Sequence, residues 1–338
     1  MQTCEPAHYQ SSESDFRDTR TTDTTPILDH TITSVSIPTN HSSGWASVLL
    51  DKTRPKLSGK VLSAHLESKL LIIVLIISTT VRDRMATAEN AYTLDTVREA
   101  LVRQEDTIVF GLIERAKFPF NSQTYDQKYL EIPGFCGSLI EFVVKDTETV
   151  QAKAGRYENP EENPFFPENL VSSLVPSYPF TKILHPGAAS ININKSIWKI
   201  YFQDLLPLFV SSGDDGNYAQ TAASDLSLLQ AISKRVHYGK FVAEVKFRES
   251  PQDYEPLIHA KDKEGLMKLL TFKSVEEMVK KRVEKKATLF GQEISLNSSD
   301  DNNGKQKFDP SVASKLYEKW VIPLTKEVQV EYLLQRLD

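Results

Sequence analysis

VREALVRQEDTIVFGLIERA, residues 97–116, reads as a helix before anything else about the chain is known. With Leu94 just ahead of it, Leu94, Val97, Leu101, Ile108 and Leu112 recur at spacings of three, four and seven. At about 100° per residue these side chains fall on a stripe about 60° wide. Two charges intrude: Arg98 lies about 40° from Leu94 and Glu105 about 20°. A buried arginine or glutamate is costly unless paired, so this face must meet either structural counter-charges or a charged ligand.

The same period runs through the rest of the body. A second helix is predicted from about Ala222 to Phe247, with Leu226, Leu229, Ile232, Val236, Ala243 and Phe247 as its apolar stripe. On its other face Arg235, Gly239, Val242 and Lys246 stack, placing two cations about 16 Å apart on one line. Gly239 leaves bare backbone between them, a geometry suited to a small polyanion, although solvated surface cations would show the same spacing. Ser274 and Glu277 have the spacing of a capping box that opens a helix running to Phe290. Glu276 falls in the first turn of that helix, where a carboxylate also complements the helix dipole. The last helix is expected from about Pro310 to Leu337, kinked by Pro323, with Thr325 and Gln329 sharing a face at i, i+4. The proline-interrupted segment from Gln123 to Pro186 reads as loops and short helices. Strict alternation of β-branched residues is absent, so the body is all-α.

Composition narrows the function. Lys and Arg number 40 against 45 Asp and Glu, a net charge of -5. A mildly acidic chain without a dense basic stripe lacks the footprint of a nucleic-acid binder. Two cysteines, Cys4 and Cys136, and seven scattered histidines form neither a disulfide framework nor a metal-ligand spacing. The 13 glycines and the lack of a Gly-rich phosphate loop argue against a nucleotide-binding α/β protein. A chemistry without metal or cofactor is the expectation.

The first 84 residues are different material. Residues 1–60 are Ser- and Thr-rich and aperiodic, and are expected to be disordered. The apolar run 70–81 would span only about 18 Å as a helix, short of a membrane's roughly 30 Å core. Glu5, Glu13, Asp15, Asp18, Asp23 and Asp29 argue against an organelle transit peptide. The expected organisation is therefore an extension over 1–84 and one helical domain over 85–338, beginning at Met85, with no membrane span and a cytosolic location.

Four segments now carry a resemblance: residues 97–116 above, YENPEENPFFPENL (157–170), RVHYGKFVAEVKF (235–247) and IPLTKEVQVEYLLQRLD (322–338). In this order they resemble the eukaryotic all-helical chorismate mutases, the plant enzymes above all, over about 92–338. The resemblance implies the Claisen rearrangement of chorismate to prephenate in phenylalanine and tyrosine biosynthesis, a pericyclic step that needs no proton transfer, nucleophile, metal or cofactor. The protein must hold a dicarboxylate in its reactive conformer and place donors at the ether oxygen that gains charge.

By the same resemblance, Arg98 and Arg235 are the carboxylate-clamping arginines, Lys246 donates to the ether oxygen and Thr325 helps hold a carboxylate. Glu276 accepts from the ring hydroxyl. Two positions depart from the fungal pattern: Gln329 stands where a glutamate contacts the ether oxygen, and Phe272 where a polar asparagine lies near the substrate. A homodimer with aromatic amino acid effectors is also implied. Arg156 and Asn217 resemble parts of the effector site, but Gly155 replaces an arginine, and Ala219, Gln220 and Ala223 replace small or hydroxylated residues. A weakly regulated cytosolic isoform follows. A mutase-like helical protein without catalysis is the alternative, and it predicts broken site positions where this sequence has competent ones.

Overall fold

The computed structural model describes residues 92–129, 133–292 and 306–338. The expectations for residues 1–84, including the apolar run 70–81, lie outside them. Every regular element among the described residues is helical, apart from an isolated bridge between Gln292 and Gln306. None of these helices is long and apolar enough to cross a membrane.

Helix α1, Leu94–Arg115, starts at Thr93, whose side chain accepts from the Thr96 amide while Thr96 reaches back to the Thr93 amide. That reciprocal cap satisfies two otherwise orphaned donors. Its stripe is inward as expected, with Val97, Ile108 and Leu112 fully buried. Glu105 is buried too, and its counter-charges are Arg282, at 2.8 and 2.6 Å, and Lys286, at 3.1 Å. Both belong to helix α8, Lys273–Phe290, so the intruding charge is a structural bolt between α1 and α8.

The expected helix over 222–247 is two segments, α4 (Tyr218–His237) and α5 (Gly239–Glu249), which meet at Tyr238. All six apolar stripe residues are buried as read. At the junction the Tyr238 carbonyl accepts from the Phe241 amide at 3.1 Å, one residue short of α register, and from the Val242 amide at 3.3 Å in α register. A buried network, Arg115 Nε to Asp225 Oδ1 at 2.7 Å with Tyr201 and Tyr125 also donating to Asp225, fastens α4 to α1.

Three further readings are corrected. The segment 123–186 contains a full helix, α2 (Leu139–Lys153), started by a Ser138/Glu141 capping box. Conversely, Ser274 and Glu277 form no capping box: α8 begins at Lys273 behind Phe272, and Glu277 pairs with Lys280 instead. Nor does the last helix simply bend at Pro323. Helix α9 (Ser311–Leu316) widens into a π-helical segment, Tyr317–Val321, and then continues as α10 (Ile322–Leu334). Proline lacks the N–H an α turn requires and clashes with the carbonyl four residues back. A wide turn upstream relieves both conflicts. The same device precedes Pro207, where α3 (Asn194–Ile200) widens over Tyr201–Leu205. Short helices α6 (Pro251–His259) and α7 (Lys263–Leu270) connect α5 to α8.

Candidate active site

The close approach of α5 to α10 shapes the site. A Cβ on Gly239 would lie 2.8 Å from the Thr325 carbonyl oxygen and 3.4 Å from Gln329 Cγ. Gly239 is thus a contact surface for α10, not the bare gap between cations that its spacing suggested. The approach leaves Arg235, Thr325 and Gln329 together and buried. Arg235 Nη1 donates to Thr325 Oγ1 at 3.3 Å, and Thr325 Oγ1 donates to the Val321 carbonyl at 2.6 Å. Gln329 Nε2 donates to the Thr325 carbonyl at 3.3 Å. The Arg235 guanidinium also lies 5.6 Å from the centre of the Tyr317 ring, in the π-helical segment. Arg235 Nε and Gln329 Oε1 are buried without a hydrogen bond among the described residues. Buried polar atoms are rarely left so, and these two belong to residues that both contact Thr325.

Lys246 lies farther along α5, half-buried, with its ammonium 4.7 Å from the centre of the Phe272 ring. Burial, followed by the Arg98 charge, lowers its pKa, while Glu249 opposes the shift. Arg98 is therefore near enough for its field to be felt. It is held there by packing, since its neighbour Val97 clusters with Phe241, Val242 and Val245 of α5. Its guanidinium is exposed rather than buried and pairs with Asp95 at 3.2 Å. Glu276, in the first turn of α8, accepts from Lys326 Nζ at 2.9 Å, and Lys326 also reaches Thr271 Oγ1 at 3.3 Å.

The structure thus joins Arg235, Thr325 and Gln329 directly and sets Arg98 within the field of Lys246. Glu276 is anchored to α10 through Lys326, the residue next to Thr325. Tyr317, beside Arg235, and Lys326, bonded to Glu276, are contacts that sequence reasoning missed. Lys326 stood inside a quoted segment, but nothing in its spacing revealed its partner.

The positions resembling an effector site divide into two groups. Gly155 adopts a left-handed conformation (φ 81°) ahead of a short 3-10 turn. Arg156 holds Glu162 at 2.8 Å and Gln230 Oε1 at 2.9 Å. Asn217, Ala219 and Gln220 are exposed at the start of α4, about 15 Å along the axis from Gln230. Within one chain the two groups do not touch.

Fold and site together define an all-helical protein in which a buried arginine, Arg235, and a buried amide, Gln329, both reach Thr325 at the crossing with α10. The sequence signature described as chorismate mutase type II matches residues 217–330. Chorismate mutase 2 of Arabidopsis thaliana is 62% identical over 251 residues, which cover 74% of this chain and 95% of that protein. Cytosolic chorismate mutase 2 of Zea mays is 54% identical, covering 72% and 96%, and chloroplastic chorismate mutase 1 of Petunia hybrida is 52% identical, covering 73% and 77%. The crystal structure of AtCM1 with phenylalanine bound in its allosteric site superposes with a TM-score of 0.68 at 52% identity, over 73% of this chain and 98% of that one. The chain belongs to the chorismate mutase type II family. It is a plant-type chorismate mutase, an isomerase, and a reading without catalysis has no support.

Proposed function

We propose that Arg98, Arg235, Lys246, Glu276, Thr325 and Gln329 form the chorismate pocket. Arg235, buttressed by Thr325 and the Tyr317 face, takes one substrate carboxylate, with Nε still free to donate. Arg98 supplies the second clamp by turning its exposed guanidinium from Asp95 toward the substrate. Lys246 and the Gln329 amide donate to the ether oxygen as its bond breaks and charge develops there. Glu276, tethered by Lys326, accepts from the ring hydroxyl. No group changes protonation. Catalysis consists of holding the reactive conformer and presenting preorganised donors. The observation that carries the reading is the buried contact of Arg235 with Thr325, beside two unpartnered polar atoms.

The mutase domain is residues 85–338, and it works as a homodimer. Pairing two chains offers the Arg156 group of one protomer to the Asn217 group of its partner, a meeting that one chain does not make. AtCM1 binds phenylalanine in an allosteric site. With Gly155, Ala219 and Gln220 at positions that carry no cation or hydroxyl, the response here is weak. The location is cytosolic, by likeness to the maize cytosolic isoform and the acidic residues of the leader region. Chorismate disappearance, followed with the full chain and with residues 85–338, with and without Tyr, Phe and Trp, tests these points together. Equal kcat/KM for the two lengths and little change with amino acids are expected. A large effector response would overturn weak regulation, and loss of activity in the shorter chain would overturn the domain boundary.

A further inference from the structure

A second face of α5 carries a cation that the rearrangement does not use. Lys246 lies about 20° round the helix from Gly239, on the catalytic face, whereas Lys240 lies about 100° away from it. Lys240 is 2% exposed, and its Nζ donates to Asn163 Oδ1 at 2.9 Å. No carboxylate among the described residues offsets it, and burial alone pushes its pKa down to about 8. Neighbouring His237 is no counter-ion. It accepts from the Ile193 amide at Nε2 (3.0 Å), and its other ring nitrogen lies 2.8 Å from the Ser233 carbonyl. Burial and the Lys240 charge push its pKa down to about 3, leaving it neutral. Of the nearby acids, Glu162 is engaged by Arg156 and Lys234, and Glu158 is exposed. A buried, uncompensated ammonium is expensive and calls for an anion.

The space for one is present. Lys240 lines a cavity of about 900 Å³ between α5 and the 157–192 loop region, a size usual for small-molecule sites and far larger than one inorganic ion fills. Its Asn163 anchor is fixed: Asn194 Nδ2 donates to the Asn163 carbonyl at 2.9 Å, and Asn192 and Asn194 both donate to the Pro164 carbonyl at 2.8 Å. Pro164, Pro179, Phe180 and Leu184 give the walls an apolar character. Lys240 is the buried ammonium of a lining that also carries exposed Lys182 and the carboxylates of Glu158 and Glu162; set among largely apolar walls, it matches a monoanion with a flat hydrocarbon body, because those walls would strip a phosphate of its water and offer its oxygens little in return.

We propose that this cavity is a second binding site, separate from the catalytic pocket, for a small organic carboxylate whose charged group pairs with Lys240 and whose apolar body lies against Pro164, Pro179 and Phe180.

Calorimetric titration of the full chain at pH 7 with benzoate, and separately with inorganic phosphate, tests it. Benzoate should bind more tightly than phosphate. Lys240→Met should weaken benzoate by about tenfold or more, the worth of one charge-assisted hydrogen bond. Ala189→Trp, at an exposed position on the cavity wall, should weaken it comparably with Lys240 intact, and it decides the matter should Lys240→Met not fold. Arg235→Gln should leave benzoate affinity unchanged. Absence of benzoate binding, binding that survives Ala189→Trp or a folded Lys240→Met, loss of binding in Arg235→Gln, or a preference for phosphate would each overturn the proposal.

Discussion

Gly239 and Thr325 are in direct backbone contact across α5 and α10: any Cβ at Gly239 would sit 2.8 Å from the Thr325 carbonyl oxygen. Alanine in place of helical glycine ordinarily stabilises by about 0.4–1 kcal/mol where it fits. Here Gly239→Ala should instead cost about 1–3 kcal/mol, because α10 must move away. The same movement displaces Thr325 and Gln329, so kcat/KM should fall with stability. Thermal unfolding and steady-state kinetics on the variant check both, and a stabilised, fully active Gly239→Ala would contradict the contact.

Lys246 is the donor whose removal should hurt most. Loss of one preorganised donor costs about 10²- to 10³-fold in rate, so Lys246→Ala should lose at least about 3 kcal/mol of transition-state stabilisation. Near-normal turnover would displace Lys246 from the site.

The pH profile should carry the mark of Arg98. Burial and the Arg98 charge both disfavour the Lys246 ammonium, so kcat/KM should decline on the alkaline side earlier than an ordinary lysine's 10.5 would allow. In Arg98→Gln the repelling charge is gone and the alkaline limb should move to higher pH, even as overall activity drops. A limb that stays in place would show that Lys246 and Arg98 are not coupled.

Gln329 donates through an amide at any pH, so wild-type activity should not collapse between about pH 6 and 8 through this residue. Gln329→Glu must be protonated to donate, and its rate should rise as pH falls. A flat profile in the variant would remove Gln329 from contact with the ether oxygen.

A stability prediction rests on Glu244, fully buried in α5 and gripped by Arg248 Nε at 2.6 Å, Tyr332 Oη at 2.5 Å and Arg336 Nε at 2.6 Å. Burial pushes its pKa up, but the donors from Arg336, Tyr332 and Arg248 outweigh it and the net shift is downward. The depressed value means this carboxylate stabilises the fold fully above the ordinary glutamate pKa of 4.5 and loses that contribution as pH falls through its folded value. Glu244→Gln should therefore cost about 3 kcal/mol in urea unfolding at pH 7. The gap to wild type should close in acid, and a gap independent of pH would argue for lost packing instead.

The helical class was legible because Leu94 to Leu112 and Leu226 to Phe247 repeat with one period, and all the stripe residues named for the second helix are buried. Glu105 was legible as a charge needing a partner, but Arg282 and Lys286 are about 180 positions away and no local pattern points to them. Capping boxes show why spacing alone misleads. Ser138 and Glu141 form one because Ser138 is extended (φ -81°, ψ 165°), whereas Ser274 lies already inside the helix behind an extended Phe272. The residue types of the proposed pocket were legible. Which of them touch was not, because contacts such as Arg235 to Thr325 and Lys326 to Glu276 are set by helix crossings.

Counted in residues rather than contacts, the wide turn at Tyr317–Val321 behaves like an inserted position. It shifts everything downstream by roughly one residue's worth of rotation, about 100°, relative to an unbroken α-helix. Thr325 and Gln329 face Arg235 and Gly239 only in that shifted phase. The last helix therefore carries its chemistry in a reading frame set by the π-helical segment. A single-residue deletion there would leave every side chain of the proposed pocket in the chain and turn Thr325 and Gln329 away from Arg235 and Gly239.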